Sequence, residues 1–171
     1  MSFVIAQICG GIALVLTVIS VQFKSKEKIV MCCILANIVV AIQYFLLTAL
    51  TGAVISILNT IRCIVFYIYK KKDLKPSVLV LLIFEIVAII SGIVSWQNGW
   101  SIIPIIATVI YTYGLWQDNV TVIRLTTAIV GFGWATYNLI VKAFVGAIQE
   151  ISQTISAIIS LYRGKKINNK E

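Results

Sequence analysis

Residues 43–62 read QYFLLTALTGAVISILNTIR, and residues 137–156 read YNLIVKAFVGAIQEISQTIS. Displaced by 94 residues, the first stretch aligns with the second, with a glycine, alanines, isoleucines and a threonine at matching places. Each stretch is apolar on both sides of a short turn, which predicts a helical hairpin. A hairpin that occurs twice at one displacement indicates an internal repeat, and this repeat decides how the rest of the chain is arranged.

The same displacement of 94 residues also relates the first and fifth apolar runs of the chain. A single match in an isoleucine-rich chain carries no weight, but one ungapped displacement that serves three pairs of runs supports a true repeat. The matching pairs are Ile8/Ile102, Ile12/Ile106, Ala13/Ala107, Val15/Val109, Ala41/Ala135, Ala49/Ala143, Gly52/Gly146, Ala53/Ala147, Ile57/Ile151, Thr60/Thr154, Ile61/Ile155 and Ile64/Ile158.

Composition indicates that lipid is the solvent for much of this chain. Of the 171 residues, 60% are hydrophobic and 12% are charged, and the mean hydropathy is +1.02. A soluble domain carries roughly 25% charged residues and could not cover its surface with so few. The first apolar run lacks a basic leader and a small-residue cleavage pattern, so we expect it to be kept as a membrane span.

The apolar runs are about as long as a transmembrane helix, which needs roughly 17–25 residues. We therefore predict an all-α membrane protein with seven transmembrane helices. The predicted spans are 3–22, 29–48, 51–69, 77–95, 100–117, 122–141 and 145–163. Pro76 is expected at the start of the fourth span, and Pro104 is expected to kink the fifth or to mark its frayed end.

The basic residues predict the orientation of the chain. With the N-terminus outside, the inner segments hold twelve Lys and Arg and the outer loops hold Lys142 alone, which follows the positive-inside rule. We expect the N-terminus outside and the C-terminus in the cytoplasm. The twelve inner residues are Lys24, Lys26, Lys28, Lys70, Lys71, Lys72, Lys75, Arg124, Arg163, Lys165, Lys166 and Lys170.

The repeat predicts the domain organisation. Residues 1–70 form a first three-helix bundle, 71–97 a linker helix, 98–164 a second three-helix bundle, and 165–171 a basic cytoplasmic tail. Because a single linker span restores the direction of the chain, both halves insert the same way up. The result is a parallel repeat about an axis along the membrane normal, and transporters of this kind bind their substrate near the midplane between the halves.

Four stretches carry a resemblance to a known family. QFKSK at 22–26, the 43–62 hairpin, TYGLWQ at 112–117 and WATYNLIVKAFVGAIQE at 134–150 resemble the YgjV-type family of bacterial inner-membrane proteins. The plan of three, one and three spans is also distantly similar to the PQ-loop superfamily of SWEET sugar facilitators and PnuC vitamin transporters. The resemblance implies a multi-pass protein of the bacterial inner (plasma) membrane, a small-molecule solute and a homo-oligomer.

One departure from the PQ-loop pattern concerns the dipeptide after which that superfamily is named. The corresponding positions read Val21-Gln22 and Trp116-Gln117, so both prolines are absent. In SWEET-like proteins these prolines take part in the hinging that alternates access, and the sequence therefore does not predict that form of the mechanism.

Two amides occupy equivalent places in the predicted third and seventh spans. Asn59 and Gln153 are separated by 94 residues, and each lies roughly 15 Å from the inner end of its span. The SWEET resemblance implies that both contact substrate in one cavity. The alternative is an interhelical hydrogen bond, worth about 0.6 kcal/mol on average in membranes.

Aromatic residues extend the candidate substrate site. Trp134, Tyr137 and Asn138 share one helix face at i, i+3, i+4 spacing, and Tyr44 is the repeat equivalent of Asn138. Such a stripe is more often helix packing or an interfacial belt than a ligand platform. The substrate-binding hypothesis includes these four residues with the two amides.

Three ionisable residues lie within predicted spans, where each needs a partner or water. Arg62 and Glu85 stand at similar depth, so we predict a structural ion pair between the third span and the linker. Glu150 shares a helix face with Gln153 and has no cation at its level. It is a candidate for proton or cation coupling, with structural hydrogen bonding as the alternative.

The chain lacks the residues of most enzymes. It has no histidine, no phosphate-binding or dinucleotide loop and no nucleophile elbow. We therefore predict no catalytic residues, no metal, no cofactor and no nucleic-acid partner. The predicted function is a transporter or facilitator of a small solute, with the lipid bilayer as surroundings. The alternative is a non-transporting membrane scaffold or assembly factor on the same fold.

Overall fold

The fold is all-α, as predicted, over the residues that the computed structural model describes, which are 1–20, 22–117 and 119–168. The helices are α1 (Ser2–Ser20), α2 (Lys26–Leu46), α3 (Leu50–Lys71), α4 (Val78–Val94), α5 (Ile102–Trp116), α6 (Val120–Ile140) and α7 (Phe144–Asn168). A short 3-10 helix, Gly99–Ser101, leads into α5. No strand occurs within those ranges.

Five helical segments are long and apolar enough to cross a membrane by length and composition: α1, α2, α3, Gly99–Trp116 and Phe144–Arg163. The apolar helix α4 is shorter, at 17 residues. At the C-terminus, α7 continues through Asn168 into the stretch predicted as a separate tail. Residues 169–171 of that tail, and Val21 of the predicted Val21-Gln22 pair, lie outside the described residues.

The two prolines lie at or near the starts of helices. Pro104 is the third residue of α5, which follows directly on the 3-10 helix Gly99–Ser101. Pro76 precedes α4, whose N-cap is Ser77; the Ser77 side chain accepts a hydrogen bond from the Val80 N–H. The kink or frayed end expected at Pro104 stays a prediction.

The outer surface of the helices is aliphatic, and many polar side chains are buried between them. Large aliphatic residues recur at helical spacing on the outer surface, as Ile57, Ile61, Ile64 and Ile68 do on α3. Serine, threonine, asparagine and glutamine side chains are buried between the helices instead. This pattern is expected where lipid surrounds the helices and the polar groups can be satisfied only inside.

Six helices form a closed ring. In ring order, α1 packs against α2, α2 against α3, α3 against α5, α5 against α6, α6 against α7, and α7 against α1 again. The remaining helix, α4, packs against α3 and α5 and so covers that seam of the ring. The ring order is unchanged when α1, α2 and α3 are exchanged with α5, α6 and α7.

The two hairpins agree residue for residue at the 94-residue displacement. The bounds of α2 and α6 are displaced by that number, and so are the first residues of α3 and α7. Both turns have a non-glycine residue with positive φ at the same place, Thr48 at 57° and Lys142 at 61°. A left-handed conformation costs such residues about 1–2 kcal/mol, so the hairpin geometry must compensate for it in both halves.

Identical hydrogen bonds close the two turns. The Ala49 N–H donates to the Tyr44 carbonyl at 3.0 Å, and the Ala143 N–H donates to the Asn138 carbonyl at 2.8 Å. With the bonds from Thr48 to Phe45 and from Lys142 to Leu139, these form the same Schellman motif twice.

Small residues allow the helices to approach closely. Ala13 and Ala107, Ala49 and Ala143, and Ala53 and Ala147 are matching pairs of the repeat, and all six are buried. On α6, a Cβ added to Gly131 would overlap the Thr154 hydroxyl of α7. Close packing of small residues is the usual means of holding transmembrane helices together.

We expect Gly131→Ala to destabilise the protein by about 1–3 kcal/mol, because the added methyl overpacks the α6–α7 seam. The double variant with Thr154→Ala should recover most of the loss, since it removes the overlapping hydroxyl. Gly11→Ala is the matched control, because nothing lies within 4 Å of its added Cβ. Thermal unfolding in detergent measures all three, and equal melting temperatures for Gly131→Ala and Gly11→Ala would contradict this packing.

Candidate functional site

The six-helix ring surrounds a polar cavity of about 80 Å³. One water needs about 10–15 Å³ on this measure, so the cavity has room for several waters or a small solute. It is lined by side chains of α1, α2, α3, α5, α6 and α7, and none of the lining residues belongs to α4. A larger depression of about 440 Å³ on the outer face of α2 and α3 is lined mostly by aliphatic residues and suits lipid chains.

The cavity walls follow the internal repeat. Twelve of the sixteen lining residues form six pairs at the 94-residue displacement. Each copy of the repeat therefore supplies the same six positions to one shared cavity. The pairs are Thr17/Tyr111, Cys33/Thr127, Ala36/Val130, Val40/Trp134, Ser56/Glu150 and Asn59/Gln153.

The structure brings the two predicted amides together. Asn59 on α3 and Gln153 on α7 both line the cavity, and their exposed fractions are 7% and 9%. Among the described residues, the Asn59 Oδ1 has no hydrogen-bond partner. A buried carbonyl oxygen without a partner is unfavourable by about 1–3 kcal/mol, so a water or ligand is expected to pair with it.

An aromatic layer closes one end of the cavity. The Tyr44 hydroxyl donates to the Asn138 Oδ1 at 2.7 Å, and the Trp134 ring stacks on Tyr44 with centroids 6.3 Å apart. The Tyr137 hydroxyl accepts from the Gly52 N–H at 3.0 Å. Tyr44 and Trp134 line the cavity itself, whereas Asn138 and Tyr137 are held behind them and are not among its lining residues.

The bond between Tyr44 and Asn138 joins residues that are equivalents in the repeat. Toward the other end of α1, Gln22 donates to the Ser156 hydroxyl of α7, where Ser156 is the repeat equivalent of Arg62. Polar contacts between the halves thus occur on both sides of the amide pair.

Arg62 lines the cavity at the level below Asn59 and is 2% exposed. Its Nη1 donates to the Thr112 hydroxyl at 2.6 Å and to the Thr108 carbonyl at 3.4 Å. The guanidinium carbon lies 5.3 Å from the Tyr111 ring centroid. These neutral partners hold the guanidinium against α5, which joins the two halves across the α3–α5 seam.

No direct salt bridge joins Arg62 and Glu85 in the described part of the chain, and a water-bridged pair between them stays a prediction. Arg62 turns inward and donates to α5, whereas Glu85 lies half-buried on α4, the helix outside the ring. Similar depth along two helices places residues at one level but does not determine which way their side chains point.

Glu150 lies on α7 and lines the cavity together with Gln149 and Gln153. Its Oε1 accepts a hydrogen bond from the Gln149 Nε2 at 3.4 Å. The shared face that the i, i+3 spacing predicted for Glu150 and Gln153 is present. The proposed part of Glu150 in proton or cation coupling stays a prediction.

Several lining residues were not predicted from the sequence: Thr17, Asn37, Tyr111, Thr127 and Gln149. Asn37 could have been found, because Cys33, Asn37, Val40 and Tyr44 recur at helical spacing on one face of α2. Tyr111 could have been found as the repeat equivalent of Thr17, but threonine is common in membrane helices and attracts no attention alone.

We expect Tyr44→Phe to destabilise the protein by about 0.6 kcal/mol, and by at most about 1.7 kcal/mol, the range measured for hydrogen bonds inside membranes. In a double-mutant cycle with Asn138→Leu, the coupling energy should have the same size. Tyr162→Phe, on an exposed ring, is the control. Unfolding in detergent measures the cycle, and additive effects of the two changes would show that the bond contributes nothing.

Comparison with known proteins identifies the family. The Imp-YgjV family, described as bacterial inner membrane protein, matches residues 4–168. Neither the curated proteins nor the solved structures include a match. The match covers nearly the whole ring of helices and agrees with the resemblance of the four stretches in the sequence. This chain belongs to the YgjV family of bacterial inner membrane proteins.

Proposed function

We propose that this protein is a transporter or facilitator that moves a small polar solute through the cavity between its two halves. In this proposal the chain crosses the inner membrane seven times, with the N-terminus outside. The two three-helix bundles α1–α3 and α5–α7 insert the same way up, and α4 is the linker that makes this possible.

The observation that carries the proposal is a polar cavity whose walls come equally from both halves. A site at the interface of like-oriented bundles is accessible in turn from either side when the bundles rock against each other. The amides of Asn59 and Gln153 lie in its middle, where a solute would be contacted by both halves at once.

The lengths of the helices support seven crossings. At 1.5 Å per residue, α4 is about 25 Å long, a little less than the roughly 30 Å of a typical hydrocarbon core. Flanking residues can accommodate a difference of this size. The 21 residues of α6 are sufficient, although Arg124 in its second turn makes it less apolar; its Nη2 donates to the Phe23 carbonyl.

The alternative is a membrane scaffold or assembly factor, in which the buried polar groups only hold the helices together. An amide that serves this purpose has both its donor and its acceptor paired. Asn59 lines the cavity, and its Oδ1 has no hydrogen-bond partner among the described residues. This favours the transport function, because an unused acceptor on a residue of the cavity wall is suited to a transient ligand.

Uptake into proteoliposomes tests this proposal, with a panel of labelled sugars, nucleosides, vitamins and amino acids. We expect saturable uptake of at least one small polar solute. Asn59→Leu and Gln153→Leu should each lower the initial rate by about tenfold or more, because each removes a hydrogen bond to the solute. Thr136→Leu is the control, since this exposed side chain lies on the outer surface of α6.

Absence of saturable uptake for every solute, with protein that is folded and correctly inserted, would contradict the proposal. Equal rates for the wild type, Asn59→Leu and Gln153→Leu would contradict the assignment of the site.

Single cysteines at exposed turns test the orientation. Lys142→Cys should react with a membrane-impermeant maleimide in spheroplasts, and Lys72→Cys should react only after the membrane is opened. Three helices separate the two positions, so an odd number of crossings must place them on opposite sides. The unaltered protein, with its four native cysteines inside helices, is the control. The reverse pattern would place the N-terminus in the cytoplasm.

A further inference from the structure

The cavity departs from its internal symmetry at two charged positions. Where α3 has Ser56, α7 has Glu150, and where α3 has Arg62, α7 has Ser156. Arg62 and Glu150 both line the cavity. The shared cavity therefore has one carboxyl group and one guanidinium group, which come from different copies of the repeat and lie at different levels.

The charge of Arg62 is incompletely compensated. The Thr112 hydroxyl and the Thr108 carbonyl, which accept hydrogen bonds from its Nη1, are neutral. Its Nε has no hydrogen-bond partner within the described ranges, and no carboxylate there lies within salt-bridge distance. A guanidinium that is 98% buried calls for an anion at this free edge, because a buried charge without a counter-charge is strongly unfavourable.

Glu150, in turn, calls for a cationic partner. Its Oε1 accepts one long hydrogen bond from Gln149, and the carboxylate faces the same cavity. The repeat equivalent of Glu150 is Ser56, which precedes Arg62 by six residues on α3. Six residues rise by about 9 Å, so the acidic and basic groups are offset along the membrane normal. Direct contact between them is not found among the described residues.

We propose that the bound solute is a small zwitterion of the amino-acid class, a deduction that rests on the transport function proposed above. Its carboxylate pairs with the free edge of Arg62, its ammonium pairs with Glu150, and its middle lies beside Asn59 and Gln153. Guanidinium groups bind carboxylates through two parallel hydrogen bonds, and the Asn59 Oδ1 supplies an unused acceptor.

Solutes of other charge fit the cavity less well. A simple anion satisfies Arg62 but leaves Glu150 beside a like charge, and a simple cation does the reverse. A neutral polyol leaves both charges uncompensated. The volume of about 80 Å³ further restricts the solute to a few heavy atoms.

Binding to the purified protein in detergent, measured by calorimetry and by thermal shift, tests the solute class without requiring transport. The probes are glycine, β-alanine and γ-aminobutyrate, which increase the distance between the two charges, with propionate, propylamine and glycerol as matched anion, cation and neutral solute. We expect at least one zwitterion to bind about tenfold or more tightly than each matched probe.

Two pairs of variants locate the charges. Arg62→Gln and Glu150→Gln should each weaken zwitterion binding by about tenfold or more. Arg124→Gln and Glu27→Gln, which alter the same residue types away from the cavity, should leave it unchanged. If a glutamine variant does not fold, Arg62→Lys and Glu150→Asp keep the charge and should retain a measurable part of the binding.

The outcomes separate the two proposals. Glycerol that binds as well as every zwitterion, or zwitterion binding that survives both glutamine changes, would overturn the solute class. Zwitterion binding without uptake into proteoliposomes would support the site and overturn the transport function. Uptake of a neutral solute alone would support the transport function and overturn the solute class.

Discussion

Lipid as a solvent is the constraint on which this structure depends. Because hydrocarbon offers no hydrogen bonds, the amide, hydroxyl and guanidinium groups of the helices are stable only where they face one another. Four isoleucines of α3 face outward, while Asn59 and Arg62 of the same helix face inward. The four are Ile57, Ile61, Ile64 and Ile68. The closed ring follows from this requirement, since six helices with polar inner faces shelter those faces only when they surround a common space.

The two copies of the 94-residue repeat agree in local structure as well as in sequence. Both hairpins end in the same hydrogen-bonded turn with a strained residue at the same place, and six pairs of equivalent residues face the cavity. The exceptions are therefore informative. Arg62 and Glu150 each occur in one copy of the repeat only, and they give the cavity a basic and an acidic side chain at different levels.

Much of the fold could be predicted because the hydrophobic runs and the 94-residue displacement are both visible in the sequence alone. The displacement also paired Asn59 with Gln153 and Tyr44 with Asn138. Side-chain direction was the part that could not be predicted. Arg62 and Glu85 were matched by depth alone, and only the packing of α3 on α5 shows that Arg62 donates to Thr108 and Thr112. Tyr137 and Asn138 likewise support the cavity wall and do not line it.

The position of the Arg62 partners along the chain has a consequence for biosynthesis. Arg62 precedes Thr108 by 46 residues and Thr112 by 50. At about 5–20 residues per second, a ribosome needs roughly 3–10 s to make that segment. During this interval α3 carries an arginine whose acceptors have not yet been translated. The nascent first bundle therefore has to keep this side chain near water or within the insertion machinery until α5 arrives, so the two halves cannot mature independently.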